Sequence, residues 1–378
     1  MAEKTEVVVI GAGPAGLAVG ACLRQRKVEF IILEKQSQIG SSWHRHYERL
    51  HLHTIKSLSS LPFRNYDRDY PRYIARKQFI RYLDGYARDF NLQPRFGETV
   101  HTVRRAEHGW SIESTSYSIS ASYVVVASGL NSVPVVPTFP GIEKYQGRTL
   151  HGGEYVNAAP FVGQSVLIVG MGNTGAEIAL DLSENGIEPT ISIRNGVHIV
   201  PRDLFGLPIQ VVATLATTLM PRSVNDAIFP FILDFALGNL SRYGITRPRQ
   251  GILEQIDKAG KIPVLDIGTA KRIQEGKIKV RPGVSTITAN SVIFNDGEKS
   301  RFDAIIFATG YRPSYPDFLG ANEVRGGGAF PVNVHPTMFL VGFRNPVTGL
   351  LHDISKEAKK VARDIARPPQ RVRKFTAS

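Results

Sequence analysis

The sequence predicts an α/β protein with two Rossmann-like dinucleotide-binding domains, one of them split by insertion of the other. Three observations predict it. A glycine-rich turn follows a β-branched run near the N-terminus. The same arrangement recurs in mid-chain. Each copy is followed, later in the chain, by a strand-like segment ending in a small residue and a glycine. One glycine motif alone is weak evidence, whereas two copies, each in strand–turn–helix context, are specific.

In the first copy, Val7-Val8-Val9-Ile10 reads as a strand, Gly11-Ala-Gly13-Pro14-Ala15-Gly16 as the turn, and a helical pattern runs through Leu17, Val19 and Leu23. The first glycine permits the tight turn and the second lets the backbone approach a pyrophosphate. The third lets helix and strand pack closely, and the helix N-terminus supplies N–H donors and positive dipole. In the second copy, Val166–Val169 leads into Gly170-Met-Gly172-Asn173-Thr174-Gly175 and then a helical Ala176–Leu182.

The end of the second strand in each unit separates the ligands. Phe30–Leu33 ends at Glu34, followed by Lys35, 23 positions after Gly11. A carboxylate there accepts hydrogen bonds from both ribose hydroxyls of an unphosphorylated adenosine. Thr190–Ile193 ends at Arg194, 24 positions after Gly170. Arginine pairs with a ribose 2′-phosphate that a carboxylate would repel. FAD is therefore expected in the first site and NADPH in the second.

Tyr123-Val-Val-Val-Ala-Ser-Gly129 and Phe302-Asp-Ala-Ile-Ile-Phe-Ala-Thr309-Gly310-Tyr311 echo each other. Such strands are expected beside the cofactor crevices, carrying the crossover between domains. The expected division is an FAD domain of residues 1–158 and 298–378 with an NADPH domain at 159–297. The tail from Arg367 is basic, contains proline and is expected to fray.

Length and composition narrow the chemistry. The 378 residues suffice for two or three domains. A single cysteine, Cys22, excludes a disulfide scaffold, a cysteine-ligated zinc or iron–sulfur site and a CxxC redox pair, and suits a reducing, cytoplasmic compartment. No charged-then-apolar leader precedes the first strand, so secretion is not expected. The net charge of +13 invites a nucleic-acid reading. Its basic residues are scattered and no recognised module appears, so no specific nucleic-acid partner is expected. Leu204 to Leu237 is the most apolar region, but prolines and charges interrupt it short of the roughly 20 apolar residues of a membrane span. Buried helices over a pocket or domain interface are the expectation there. A face that touches a membrane or admits substrate is the alternative.

FAD with NADPH leaves a disulfide reductase, an electron-transfer reductase or an oxygen-activating monooxygenase. The first needs a redox dithiol, which Cys22 alone, inside the first helix, does not supply. Tyr145-x-Gly147-x-x-x-His151-x-x-x-Tyr155 then matches the [F/Y]-x-G-x-x-x-H-x-x-x-[Y/F] fingerprint of class B flavin monooxygenases. The chain resembles that family, and within it the YUCCA-type, indole-3-pyruvate monooxygenase-like enzymes. Motifs outside the nucleotide fold carry the closer resemblance. They are Tyr47–His53, Tyr73–Phe79, Asn195–Arg202, Ile262–Thr269, Phe307–Tyr311 and Gly349–Leu351. Pro346-Val-Thr and His352-Asp353 depart from the plant pattern near the expected flavin-side pocket.

The resemblance implies hydride transfer from NADPH to FAD, oxygen addition at flavin C4a, and a (hydro)peroxide that attacks a carbonyl. For a 2-oxo acid, carbon dioxide leaves and the acid is one carbon shorter. N- or S-oxygenation, or Baeyer–Villiger oxidation of a ketone, are the alternatives, with a non-catalytic nucleotide-binding protein as the reading from another class. His53 stands three residues before Lys56, where amine-oxygenating members carry asparagine, which favours a carbonyl substrate. His151, at the expected hinge, either positions the nicotinamide or orders the linker. Arg202, His198, Asn173, Trp43 and Gln78 are further candidates, each open to a packing or surface role. A substrate carboxylate needs a cation, and Arg45, Arg49, Lys56, Arg72 and Arg76 crowd the segment after the first motif without distinction among them.

Overall fold

The computed structural model describes residues 2–130, 133–259, 262–312, 314–320, 332–344 and 349–366. The basic tail from Arg367 and the stretch Pro346-Val347-Thr348 lie outside the described residues.

Two parallel sheets organise the chain, and their strand orders correspond. In the first, Arg95–Phe96, Phe30–Glu34, Glu3–Ile10, Ser118–Val126 and Met338–Leu340 lie side by side and parallel. A hairpin from Val100–Ala106 and Gly109–Ser114 adds antiparallel to Ser118–Val126. In the second, the order is Lys279–Pro282, Thr190–Ile193, Val166–Val169, Ala304–Phe307 and Arg148–His151, again all parallel. The strand before each glycine turn is central in its sheet.

These strands are apolar on both faces because both faces are covered, as parallel sheets require. Alternation then sorts the residues. Val7 and Val9 point to a core shared with Leu17, Phe79 and Ile354, whereas Val8 and Ile10 join Leu33, Trp110 and Met338 on the other side. In the second sheet Val166 and Ile168 pack with Ile178 and Leu182, and Leu167 and Val169 with Phe294 and Phe302.

The chain passes twice between the sheets, and the two passages touch. Val133–Pro134 pairs antiparallel with Tyr311–Arg312. The second sheet takes Arg148–His151 from before the 159–297 span and Ala304–Phe307 from after it. Cys22 is buried in the first core, where desolvation pushes its thiol up to about 12. It acts there as a small packing residue.

The apolar region forms two helices, Ile209–Leu219 and Arg222–Leu237. Burial holds for their inner side only, where Ile209 and Leu233 pack on Val200 and Leu204. The outer side exposes Leu215, Leu219, Phe231 and Phe235, a stripe at helical spacing. Among the described residues, no helix is long and apolar enough to cross a membrane.

Candidate active site

Each glycine turn uses its three glycines differently. A Cβ at Gly11 would lie 2.6 Å from the Ala127 carbonyl oxygen, and one at Gly16 only 1.8 Å from the Gly11 carbonyl oxygen. Gly13 meets nothing within 4 Å. The second turn repeats this: Gly170 against Ala308 at 2.8 Å, Gly175 against Gly170 at 2.2 Å, and Gly172 open. Outer glycines are fixed by packing, whereas the middle one faces a surface where a ligand can approach the main chain. The helices that follow, Pro14–Gln25 and Asn173–Glu184, have no side-chain cap and no acid in the first turn. Their leading N–H groups and positive ends suit a phosphate. The residues present therefore fit two dinucleotides.

Glu34 is buried at the end of its strand and accepts from the Ala12 N–H at 2.7 Å through Oε2 and the Gln36 N–H at 2.9 Å through Oε1. Each oxygen keeps a second lone pair for a ribose hydroxyl. Lys35 beside it is exposed. In the second unit the register differs by one residue. Gly11 N–H donates to Leu33 O and Gly170 N–H to Ser192 O, so Ile193 occupies the place of Glu34 and Arg194 follows one residue later. The carboxylate is absent, and Arg194 is exposed with no hydrogen bond or ion pair among the described residues.

The hinge gathers the fingerprint. A Cβ at Gly147 would lie 2.5 Å from the Tyr145 hydroxyl oxygen and 2.7 Å from Asp303 O, and Tyr145 donates to Phe302 O at 2.8 Å. Buried Tyr155 donates to Asp181 at 2.6 Å. His151 Nδ1 accepts from Gly153 N–H at 3.1 Å, so Nε2 carries the proton and donates to Gly310 O at 3.0 Å. Its ring meets Tyr311 edge-on at 5.0 Å. Thr309 donates to Val135 O in a short bond. Gly129 and Gly310 have φ of +90° and +76°. A His151 whose two nitrogens both bind main chain is a clamp on the linker.

The remaining candidates divide. Asn173 accepts from Leu265 N–H at 2.7 Å and ties its helix to a strand, while Thr174 packs against Gly152. Gln78 caps its own helix by accepting from Ala75 N–H at 3.1 Å. Trp43 follows Gly40, which has φ +60°, and stacks edge-on against Phe79 at 4.4 Å. His198 is buried against Gln250 O at 2.8 Å. Arg202 lies over the Tyr73 ring at 3.9 Å and, with Arg49, His51 and Arg72, lines a cleft of about 460 Å³. His53 Nε2 makes a short bond to Glu177, a residue not expected from the sequence. The signal for Glu177 was an acid among apolar neighbours on a helix with a buried face.

Four of the five candidate cations are committed. Arg49 forks onto Glu184 at 2.7 and 2.8 Å, and Arg72 binds Asp203 and Gly206 O. Arg76 donates to His44 O and His46 O, and Lys56 to Arg68 O and Tyr70 O. Arg45 is exposed with no such bond among the described residues. Burial raises the Tyr311 hydroxyl, and the nearby charge of Arg45 works against that rise. Among the described residues, no group of His, Cys, Asp and Glu could hold a metal ion.

A family model described as "Flavin-binding monooxygenase-like" matches residues 4–363. The chain belongs to the flavin-binding monooxygenase-like family. As a member it is an FAD- and NADPH-dependent monooxygenase, with a small-molecule substrate and O2. It is 37% identical over 378 residues to the Arabidopsis thaliana protein named "Probable indole-3-pyruvate monooxygenase YUCCA3", covering 95% of this chain and 86% of that protein. It is 40% identical over 316 residues to "Indole-3-pyruvate monooxygenase YUCCA1" of Oryza sativa subsp. japonica, covering 82% and 78%. The fold is that of a flavin-containing monooxygenase from Stenotrophomonas maltophilia, with TM-score 0.73, 21% identity and coverage of 96% of this chain and 98% of that one. The bacillithiol disulfide reductase Bdr of Staphylococcus aureus shares it too, at TM-score 0.67 and 17% identity, with coverage of 96% and 98%. The fold alone therefore does not separate oxygenase from reductase.

Proposed function

We propose that this monooxygenase oxidatively decarboxylates an aryl 2-oxo acid such as indole-3-pyruvate. What carries the reading is that relatives named for that substrate align along most of the chain at 36–40% identity. The reaction balances as R–CO–COO⁻ + O2 + NADPH + H⁺ giving R–COO⁻ + CO2 + NADP⁺ + H2O. Bound FAD, reduced by NADPH, supplies the oxygen-activating chemistry.

The chain's own residues take the following roles in this proposal. Gly11, Gly13, Pro14, Ala15 and Gly16 form the turn that holds the FAD pyrophosphate. Glu34 binds its adenosine ribose with Lys35 beside it, Trp43 lies toward the isoalloxazine, and Gln78 and Gly129 are further FAD-binding positions. Gly170, Gly172, Asn173, Thr174 and Gly175 form the corresponding turn for NADPH, with Arg194 on the 2′-phosphate and Arg202 nearby. His151, Thr309, Gly310 and Tyr311 set the linker between the two nucleotides, His151 as a positioning residue. The NADPH unit extends over 148–307, to include both strands that complete its sheet. Arg45, the candidate cation with no hydrogen bond or ion pair among the described residues, receives the substrate carboxylate. A buried lone cysteine supports a reducing, cytoplasmic setting.

The test is product identification during NADPH- and O2-dependent turnover of indole-3-pyruvate, phenylpyruvate, a cyclic ketone and trimethylamine, using wild type and Arg45→Met. The shortened acid and CO2 are expected from the 2-oxo acids. Arg45→Met should raise their KM roughly tenfold or more, as loss of a charge-assisted hydrogen bond does. Oxygenated product from the amine or the ketone alone would overturn the reading.

A further inference from the structure

His53 is held from two directions. Its Nε2 makes a short hydrogen bond to Oε1 of Glu177, on the first turns of the helix Asn173–Glu184. Its carbonyl oxygen accepts from Nε2 of Gln210 at 3.0 Å, from the helix Ile209–Leu219. Glu177 is 1% exposed, and its Oε2 is buried without a hydrogen-bond partner. A carboxylate enclosed in this way is costly unless its neighbours are strong donors, here the His53 ring and the Tyr47 hydroxyl. The pair also bridges the halves of the molecule, joining the segment after the first glycine turn to the helix that follows the second.

The chemistry of the pair is directional. An ionised carboxylate only accepts, so with Glu177 ionised Nε2 of His53 carries the hydrogen. The remaining nitrogen, Nδ1, has no hydrogen-bond partner among the described residues, and the side chain is 21% exposed. A neutral ring presents a lone pair at Nδ1 and an imidazolium presents a proton there. Monooxygenation consumes one proton per turnover and ends in water, and an imidazole is a group that can carry that proton. We propose that Glu177 is a positioning residue that holds His53 as its Nε2–H tautomer, making His53 Nδ1 the atom that passes this proton. The inference rests on the reading of His53 as a site residue.

Neighbouring charges leave this assignment intact. From the pair's own segment come His46, Tyr47 and Arg49, and from the helix Asp181 and Glu184. Arg49 is committed to Glu184, and Asp181 to the Tyr155 hydroxyl. Burial, reinforced by the Glu177 carboxylate, holds the Tyr47 hydroxyl well above the tyrosine range. Burial together with Arg76 and Arg45 holds the His46 imidazole below its ordinary range. Gln210 is uncharged.

The experiment uses the FAD-loaded full chain as wild type, Glu177→Gln, Glu177→Asp and His53→Gln. Coupled turnover is measured, together with the His53 tautomer by NMR of ring-nitrogen-labelled histidine without substrate. Wild type should show the Nε2–H tautomer. Glu177→Gln should let the Nδ1–H tautomer appear beside it and lower coupled turnover roughly tenfold or more. Glu177→Asp should restore the Nε2–H tautomer and most of the turnover, and His53→Gln should lower turnover as Glu177→Gln does. If Glu177→Gln fails to fold, the wild-type tautomer and the His53→Gln turnover decide. Unchanged coupled turnover in His53→Gln would overturn the site reading of His53 and this inference with it. Lowered turnover in His53→Gln, with the wild-type ring in the Nδ1–H form or the tautomer unmoved in Glu177→Gln, would overturn this inference alone.

Discussion

Alanine at Gly172 tests the second nucleotide turn without disturbing the fold. Gly172 has φ −92° and ψ −174°, extended backbone that any residue adopts, and a Cβ there meets nothing within 4 Å. Two small contributions oppose each other. Alanine is a poorer N-cap than glycine by roughly 0.5–1 kcal/mol. Restriction of the unfolded chain returns roughly 0.4–1 kcal/mol. The variant should therefore lie within about 1 kcal/mol of wild type in stability. Gly175→Ala is the control in the same helix. Its Cβ would fall 2.2 Å from Gly170 O and 3.1 Å from Ala308 Cβ, and because main chain must move, it should lose about 3 kcal/mol or more. In Gly172→Ala the methyl group occupies the space through which phosphate reaches the N–H donors. Loss of one hydrogen bond to a charged group costs roughly 1.5–3 kcal/mol, or about 10- to 100-fold in Kd for NADP⁺. Thermal melting and calorimetric titration of the FAD-loaded variants give both numbers. A folded Gly172→Ala with unchanged NADP⁺ affinity would refute the reasoning, as would a melting loss equal to that of Gly175→Ala.

Two further outcomes are expected. Arg194→Asp should raise the KM for NADPH by roughly 10- to 100-fold and leave that for NADH nearly unchanged, because the charge-assisted contact to a 2′-phosphate is lost and replaced by repulsion; equal effects on both coenzymes would remove Arg194 from that role. His46 is kept neutral in the fold by burial and then by Arg76 and Arg45, whereas the unfolded chain protonates it at its ordinary value near 6.5. Its contribution to stability is therefore present above about pH 6.5 and is lost as pH falls toward the depressed folded value. His46→Phe, which keeps an aromatic ring against Trp43, should flatten the fall in urea midpoint between pH 7 and pH 5, and an unaltered slope would contradict the assignment.

The nucleotide units were legible in the sequence because local backbone demands produce them. Gly11 and Gly16 have no room for a Cβ, and Glu34 ends its strand at the spacing the turn dictates. The fingerprint from Tyr145 to Tyr155 was legible as a pattern but not as a mechanism. That both nitrogens of His151 bind main chain depends on Gly310, 159 residues away. The His53–Glu177 bond spans 124 residues and joins two motifs read separately. Arg194 was found by its spacing, whereas the presence of Ile193 at the place of Glu34 is a matter of strand register. Among the cations, composition gave no distinction. Only tertiary partners committed Arg49, Lys56, Arg72 and Arg76 and left Arg45. The helices at 209–237 were apolar enough to suggest burial, yet an amphipathic count cannot say which side of a helix finds a neighbour.

The sharing of strands across the chain has a consequence for biosynthesis. As the protein emerges from the ribosome, Glu3–Ile10, Phe30–Glu34 and Ser118–Val126 can pair early, but on the far edge the hairpin covers only Ser118–Ala121, and Val124–Val126 has its neighbour only when Met338–Leu340 arrives. Throughout translation of the intervening unit, the Val124–Val126 part of that edge offers unpaired N–H and C=O groups flanked by apolar side chains, a template for pairing with other chains. The final helix, Leu350–Ile365, packs on Pro14–Gln25 and closes the same core. A nascent chain stalled before residue 338 is thus expected to be the aggregation-prone form and a client for chaperones, while release of the full length removes the hazard at once.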